Sequence, residues 1–391
     1  MNTALCAKCK GRGYCGKPCP FLSYYKNVEL KKDFLSETPP SIFVGRFNYP
    51  NVNIGVLSPP EETKNVEYFD NHYAWFKERK SLNEIAGLRA QLINSRIRGS
   101  VKKQNKIIET FQEITLGKKS VDLEIHLKKQ PKPIMNTFTT STMIGPHAEL
   151  EKVRLAENVK VDKRIEKAYY DTDLKSVKAI NELYKKGVNE SKLARVLSAG
   201  ILGVKINRKL VPTRWSITAV DDNLGKNLIK QIKYNKQIDE YHVYYSSRMG
   251  NAFCVILMPG QWTYELFECV QTNELQYTTN YETYYGRKEY AKETAGGYYA
   301  SRLGVLEQLV KKKRQASALI IREITKDYYL PIGVWQVREN VRNSFNKVIK
   351  FGDWELVKQY VTRLFSFNIN EILVKSKLLK ERKQPKLTNY F

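Results

Sequence analysis

The sequence predicts an α+β fold, with mixed helices and antiparallel sheet and a small cysteine-bound knuckle at the N-terminus. Three observations predict it. Val121-Asp122-Leu123-Glu124-Ile125-His126-Leu127 alternates strictly between apolar and polar residues, the period of a half-buried strand. Leu174, Val177, Ile180, Leu183 and Tyr184 recur at helical spacing. Four of the six cysteines fall within the first 19 residues. A length of 391 residues exceeds one domain's usual size, and a hydrophobic share of 42% is enough to build cores.

The N-terminal cysteines Cys6, Cys9, Cys15 and Cys19 read C-x2-C-x5-C-x3-C. Each close pair can place two thiolates on one metal, and Gly11, Gly13 and Gly16 let the chain turn back tightly. Four thiolates without histidine favour a closed tetrahedral Zn²⁺ site, structural in kind. An iron–sulfur cluster is the rival occupant. Lys8, Lys10, Arg12 and Lys17 lie in the same loop; they suit a knuckle touching nucleic acid, or simply offset the thiolate charge. Cys254, within Phe253-Cys254-Val255-Ile256-Leu257, reads as a small buried hydrophobe. This is a reducing-compartment pattern and not a secreted disulfide framework.

After a polar stretch, Ile42–Val44 and Val52–Leu57 read as two short strands flanking a Gly45-Arg46-Phe47-Asn48-Tyr49-Pro50-Asn51 turn. Arg46 and its aromatic neighbours could hold a phosphate and stack a base, or form an ordinary hairpin with an exposed arginine. Residues 70 to 115 read as helical, with Arg96 and Arg98 on a basic face. On the Val121–Leu127 strand, Asp122, Glu124 and His126 share one face. That face is a candidate divalent-metal edge, but it fits the wet side of an edge strand better. Two helices about Gly187 resemble a helix-turn-helix, with Lys192 and Arg195 on the second. The periodicity itself is that of a packed helical hairpin.

Trp215 to Val220 is expected as a strand ending in the paired carboxylates Asp221 and Asp222. Carboxylates there can bind Mg²⁺ or act as acid and base, although capping a following helix near Leu224 is the plainer role. With Arg214, His242 and Glu265 they are the candidates should the protein be a catalyst on nucleic acid. Strands are expected at 241–246 and 252–258, joined through Arg248-Met249-Gly250-Asn251. Glu282–Lys288 and Thr294–Arg302 interleave glycine, aromatics and arginine. They read as loops able to stack nucleotides, with Arg287, Lys288 and Arg302 as phosphate contacts, or as loops whose tyrosines pack on the core. A helix to Lys313 carries the basic cluster Lys311, Lys312, Lys313 and Arg314, followed by a strand at Ser317–Glu323.

The last eight residues, Gln384-Pro385-Lys386-Leu387-Thr388-Asn389-Tyr390-Phe391, match Q-x-x-h-x-x-a-a, with h aliphatic and a aromatic. In one 3₁₀ turn Leu387, Tyr390 and Phe391 project from one side as an apolar plug, while Gln384 is left for a polar pocket. The pattern resembles the box by which replication and repair proteins bind the sliding clamp, PCNA in archaea and eukaryotes. Tyr390 stands where many such boxes have Phe. The basic stretch Ser376–Lys383 before it is expected as an exposed tether.

The net charge is +26, from 66 basic and 40 acidic residues, which makes an attractive field for a polyanion. No apolar run approaches the roughly 20 residues that span a bilayer. Met1–Cys6 lacks the basic and apolar regions of a signal peptide. Nucleic acid, DNA ahead of RNA, is therefore the expected partner, in a cytoplasmic, nucleoid-associated protein. There is no P-loop, which argues against an ATP-driven motor.

Longer strings carry a resemblance. The cysteine cluster, Pro39-Pro40-Ser41-Ile42-Phe43-Val44-Gly45-Arg46-Phe47, Leu210-Val211-Pro212-Thr213-Arg214-Trp215-Ser216-Ile217-Thr218-Ala219-Val220-Asp221-Asp222, Met258-Pro259-Gly260-Gln261-Trp262-Thr263-Tyr264-Glu265 and Thr294-Ala295-Gly296-Gly297-Tyr298-Tyr299-Ala300 together resemble the archaeal Nre family, which is linked to DNA repair. The resemblance covers nearly the whole chain and hands over no catalytic residue. It implies, after a knuckle at 1–22, an N-terminal family domain over 23–275, a C-terminal one over 276–375 and a clamp-binding tail over 376–391. Its functional implication is a repair factor brought to DNA by the clamp. A metal-dependent or glycosyl-transferring enzyme on nucleic acid and an RNA-binding adaptor stand as alternatives.

Overall fold

A computed structural model describes residues 29–132, 142–272 and 274–383. The four N-terminal cysteines and the octapeptide from Gln384 lie outside the described residues. The chain divides into two compact units. One is built on Asn2–Asn223 with Leu330–Gly333, the other on Leu224–Tyr329 and Val334–Phe391.

The first unit holds β1 (Asp33–Thr38), β2 (Ile42–Val44), β3 (Asn51–Ser58), α1 (His72–Lys77), α2 (Leu82–Ala90), β4 (Ile93–Ser100), α3 (Lys106–Leu116), β5 (Val121–Leu127), β6 (His147–Leu155), α4 (Lys163–Tyr170), α5 (Ser176–Lys185) and α6 (Glu190–Ser198). Its six strands run in the order β1-β5-β6-β4-β3-β2. All pairs are antiparallel except β4 with β6, so the sheet is mixed. The β2–β3 hairpin and the alternation of β5 are as the sequence implies. The strand β5 lies inside the sheet, however, with β1 at the edge. Ile93–Ser100 is a strand where a basic helical face was expected. On a strand Arg96 and Arg98 fall on one side and Ser95 on the other, which is period two and not 3.6.

Helix α7 (Thr213–Ile232) runs through the stretch expected as a strand and carries the chain from one unit to the next. Ile217, Thr218 and Val220, all β-branched, favour a strand locally. Val220, Leu224, Leu228 and Ile232, all buried, recur every four residues and set the helical period instead. Asp221 and Asp222 accordingly sit in mid-helix, neither at a strand end nor at a helix cap.

The second unit comprises β7 (Tyr241–Arg248), β8 (Asn251–Met258), β9 (Tyr264–Gln271), β10 (Leu275–Glu282), α8 (Ala295–Lys312), β11 (Ser317–Ile324), α9 (Trp335–Ser344), β12 (Ile349–Phe351), α10 (Trp354–Val361), α11 (Asn370–Lys375) and α12 (Lys377–Lys383). Its sheet order is β10-β9-β11-β8-β7-β12, with β9 and β11 the one parallel pair. One face packs Val243, Cys254, Ile256, Phe267 and Leu319 against α10, α11 and α12. The other turns Tyr244 to Phe345, ring centroids 4.8 Å apart, and Tyr264 to Tyr298 on α8. Every residue of β8 is buried, as a strand covered on both faces must be. Cys254 is buried as expected, and burial pushes its thiol up from the usual range.

Two further expectations change here. Ala295–Arg302 is the first part of α8 and not a loop. Gly297 lies so close to β9 that a Cβ would meet Glu268 Oε1 at 2.5 Å, which is why a glycine stands inside this helix. Ser376–Lys383 is not a free tether: α12 forms there, with Leu378 and Leu379 buried in the core.

Candidate functional site

Three places in the chain gather the residues singled out by chemistry. The first is an exposed surface of the first unit, where two distant sequence strings meet. The Val44 amide donates to Thr213 Oγ1 at 2.9 Å, and the Val101 amide donates to the Pro50 carbonyl at 3.0 Å. These bonds fix the β2–β3 turn beside the start of α7. Tyr49 and Trp215 then stand with ring centroids 5.1 Å apart. Phe47 is 68% exposed, Trp215 43% and Tyr49 40%. The Arg46 guanidinium lies over the Phe47 ring at 4.8 Å. Large aromatics left open to water beside arginine are the parts of a base-stacking platform.

The strand paired with β3 carries two further arginines. Arg96 pairs with Gly55 and Arg98 with Asn53, so both arginines point to the same side. Gly55 has no room for a side chain; a Cβ would meet Asn94 Oδ1 at 2.4 Å and the Ser95 carbonyl at 2.6 Å. Arg98 is exposed, whereas Arg96 is half-buried and its guanidinium is held below its ordinary value by burial. Burial, and then the Arg96 charge, lower the His147 imidazole below its ordinary value. Four expected nucleic-acid contacts, Arg46, Arg96, Arg98 and Trp215, thus belong to one unit. Arg214 shares the first turn of α7 with Trp215. Asp222 is partly exposed and Asp221 is buried.

The second place is a polar cavity of about 250 Å³ in the same unit, lined among others by Asp70, Asp162, Arg164, Lys192 and Arg195. Asp70 is its anchor. Its carboxylate accepts from Arg89 Nη1 at 2.6 Å and from the Ser41 hydroxyl at 3.0 Å, and forms an ion pair with Arg195 Nη2 at 2.7 Å. Burial alone would raise this carboxyl, but Arg195, Arg89, His72 and the Ser41 hydroxyl outweigh it and hold it below the ordinary carboxylate value. Asp162 is clasped by Arg164 through Nε at 3.0 Å and Nη2 at 2.6 Å. Lys192 Nζ donates to the Thr115 and Gly117 carbonyls at 2.7 and 2.6 Å, at the C-terminus of α3. Lys192 and Arg195 therefore face inward, and α5–α6 is the packed hairpin that its periodicity suggests, with Leu193 and Val196 fully buried. The cavity was not foreseen. The signal available was Lys192 and Arg195 at i, i+3 on one helix, which puts two cations on one face.

The third place is the buried network of the second unit. Glu282 accepts from Trp262 Nε1 at 2.9 Å, the Tyr298 hydroxyl at 3.0 Å and Arg302 Nη1 at 2.7 Å. This joins the Met258–Glu265 and Thr294–Ala300 strings. Arg302 is only 1% exposed, so it is a core ion pair and not a surface phosphate contact. Arg287 donates to the Glu289 and Tyr281 carbonyls and holds its own loop, while Lys288 is exposed. Lys311, Lys313 and Arg314 are exposed at the C-terminus of α8; Lys312 donates to the Tyr244 hydroxyl at 2.7 Å. Glu265 accepts from the Ser376 hydroxyl at 2.6 Å and from the Leu378 and Lys377 amides at 3.0 and 3.1 Å, so its carboxylate caps α12. His242 is buried, 3.6 Å from Glu240, and burial followed by Lys312 and Lys350 lowers its imidazole. Among the described residues no three His, Cys, Asp or Glu side chains are grouped to hold a metal. No described helix is long and apolar enough to cross a membrane.

Comparison with known proteins agrees with the family resemblance. Residues 14–275 match the family model "Archaeal Nre, N-terminal" and residues 282–390 match "Archaeal Nre, C-terminal". The DNA repair protein NreB of Archaeoglobus fulgidus is 36% identical over 397 residues, covering 98% of this chain and 99% of its own. The DNA repair protein NreA of Haloferax volcanii is 39% identical over 321 residues, covering 78% and 76%. NreA of Archaeoglobus fulgidus is 38% identical over 359 residues, covering 88% and 89%. No solved structure matches the chain.

Proposed function

Since the chain belongs to the archaeal Nre family, and its relatives above are named for DNA repair, we propose that it is a DNA-repair factor that grips a nucleic-acid strand and is recruited by the sliding clamp. The observation that carries the reading is the exposed aromatic and arginine surface of Arg46, Phe47, Tyr49, Arg98 and Trp215. A solvated charge face needs no open aromatics. A strand-binding surface needs both, rings to stack on bases and guanidinium groups to meet phosphates. The net charge of +26 supplies the long-range attraction.

Recruitment rests on the octapeptide. Leu387, Tyr390 and Phe391 would enter the clamp's apolar pocket and Gln384 its polar one. The root of that segment, α12, is pinned by Glu265, so the eight residues are tethered to the second unit over at most roughly 27 Å of chain. The four N-terminal cysteines would hold Zn²⁺ in a closed structural site.

The test is fluorescence anisotropy with a labelled single-stranded DNA over a range of salt, with unlabelled RNA of the same sequence as competitor. The reading expects DNA to hold against RNA. It also expects the double substitution Arg46→Ala and Arg98→Ala to flatten the log–log salt slope by about 1.4, since each lost phosphate contact on a single strand removes about 0.7. An unchanged slope removes this surface from the account. Equal displacement by RNA turns the reading toward an RNA-binding adaptor.

A further inference from the structure

The polar cavity of the first unit contains an amine that strand binding does not use. Lys192 Nζ donates two hydrogen bonds, to the Thr115 and Gly117 carbonyls. An uncharged amine has two N–H groups and one lone pair. The two carbonyls take both protons and leave the lone pair for a third direction. Burial, and next the Arg195 charge, push the amine down to about 7 against the pull of Asp162 and Glu67. The neutral form is therefore accessible to this amine near neutral pH.

The surroundings narrow the ligand. The acids of the cavity are already engaged: Asp70 by Arg89 and Arg195, Asp162 by Arg164, and Glu67 by the Ser120 amide at 2.6 Å. Arg164 and Arg195, held by those same carboxylates, line the space together with the exposed Lys118. A volume of about 250 Å³ lies below the usual range for drug-sized ligands, so the space suits a small polar group with an attached phosphate. A neutral amine among fixed guanidinium groups is a nucleophile for a carbonyl carbon beside a phosphate.

We propose that Lys192 forms an imine with an aldehyde-bearing sugar phosphate, the group that a DNA strand exposes where a base has been lost. The proposal rests on the DNA-repair reading and deepens it. The Lys192 lone pair attacks the aldehyde carbon, the C–N bond forms and the carbonyl π pair moves to oxygen. The nitrogen gives up its protons, the oxygen leaves as water, and a C=N bond remains. One amine and one aldehyde give one imine and one water, with no oxidant or reductant.

The experiment incubates the full chain with an oligonucleotide carrying one abasic site and with sodium cyanoborohydride, which adds hydride to the imine carbon and makes the bond permanent. The adduct is read on a denaturing gel and mapped by peptide mass spectrometry. Binding of the same oligonucleotide is measured by anisotropy. An adduct on Lys192, at least about tenfold weaker in Lys192→Arg at similar binding, is the expected result. DNA binding without an adduct, or an adduct mapped elsewhere or undiminished in Lys192→Arg, overturns the proposal and leaves the DNA reading standing. No DNA binding overturns the DNA reading instead. The amine is then tested with 2-deoxyribose 5-phosphate and cyanoborohydride, where an adduct on Lys192 sustains the aldehyde site and its absence ends it. Mapping uses the native chain, so the test survives a substitution that fails to fold.

Discussion

At the scale of single residues, Asp70 shows how charge was placed before it could be read. Nothing in Phe69-Asp70-Asn71-His72 distinguishes a buried acid from a solvated one, because its partners Arg89 and Arg195 lie 19 and 125 positions away. Asp70→Asn leaves both guanidinium groups without their counter-ion and should cost about 3–5 kcal/mol in urea unfolding. The pH dependence follows from the sign of the shift. Asp70 is held below its ordinary value of 3.8, so its contribution is complete above that value and fades as pH falls through the lower folded value. The stability of the native chain should therefore fall more steeply below pH 4 than that of Asp70→Asn. Parallel curves would show that the pair contributes nothing. The catalytic candidates show the opposite side of the same limitation. Composition put Glu265 among acids that could work as acid or base, but it is the end of α12 that uses its oxygens.

At the scale of elements, period was legible wherever one face is wet. The alternation of β5 and the α5–α6 hairpin follow from it, whereas β8 and β11, buried along nearly their whole length, are legible as runs of strand-forming residues, as are β7 and the β2–β3 hairpin. Where local preference and long-range period disagree, the longer period won: Ile217, Thr218 and Val220 are helical because the buried stripe from Val220 to Ile232 continues past them. Ala295–Arg302 looked like a loop because of Gly296 and Gly297, of which Gly297 leaves room for the Glu268 carboxylate of β9. Gly55 plays the same part in β3. Gly55→Ala drives a Cβ into the Ser95 carbonyl and should cost about 1–3 kcal/mol, read as a drop in thermal midpoint. The capping of α12 has its own test. Glu265→Ala removes three bonds to the Ser376 hydroxyl and the Lys377 and Leu378 amides, and should speed amide exchange across Lys377–Leu379 while the strands of the second unit keep their protection. Unchanged exchange would mean that packing of Leu378 alone holds the helix.

At the scale of the whole molecule, net charge and sequence strings pointed to a nucleic-acid partner and named Arg46 with its aromatic neighbours as a contact, whereas the placement of Trp215 beside Tyr49 became visible only in the fold. Calorimetric titration into the cognate sliding clamp should show binding by the intact chain and none after removal of Gln384–Phe391. Binding that survives the deletion would place the contact elsewhere. The central claim is that the first unit binds a strand by stacking on open aromatics. It is tested most directly by comparing the affinity of the native chain and of Phe47→Ala with Trp215→Ala for single-stranded DNA at one fixed salt concentration. Loss of about 1–3 kcal/mol for each stacked base, with thermal stability unchanged, is the predicted result. Equal affinity in the two proteins would contradict it.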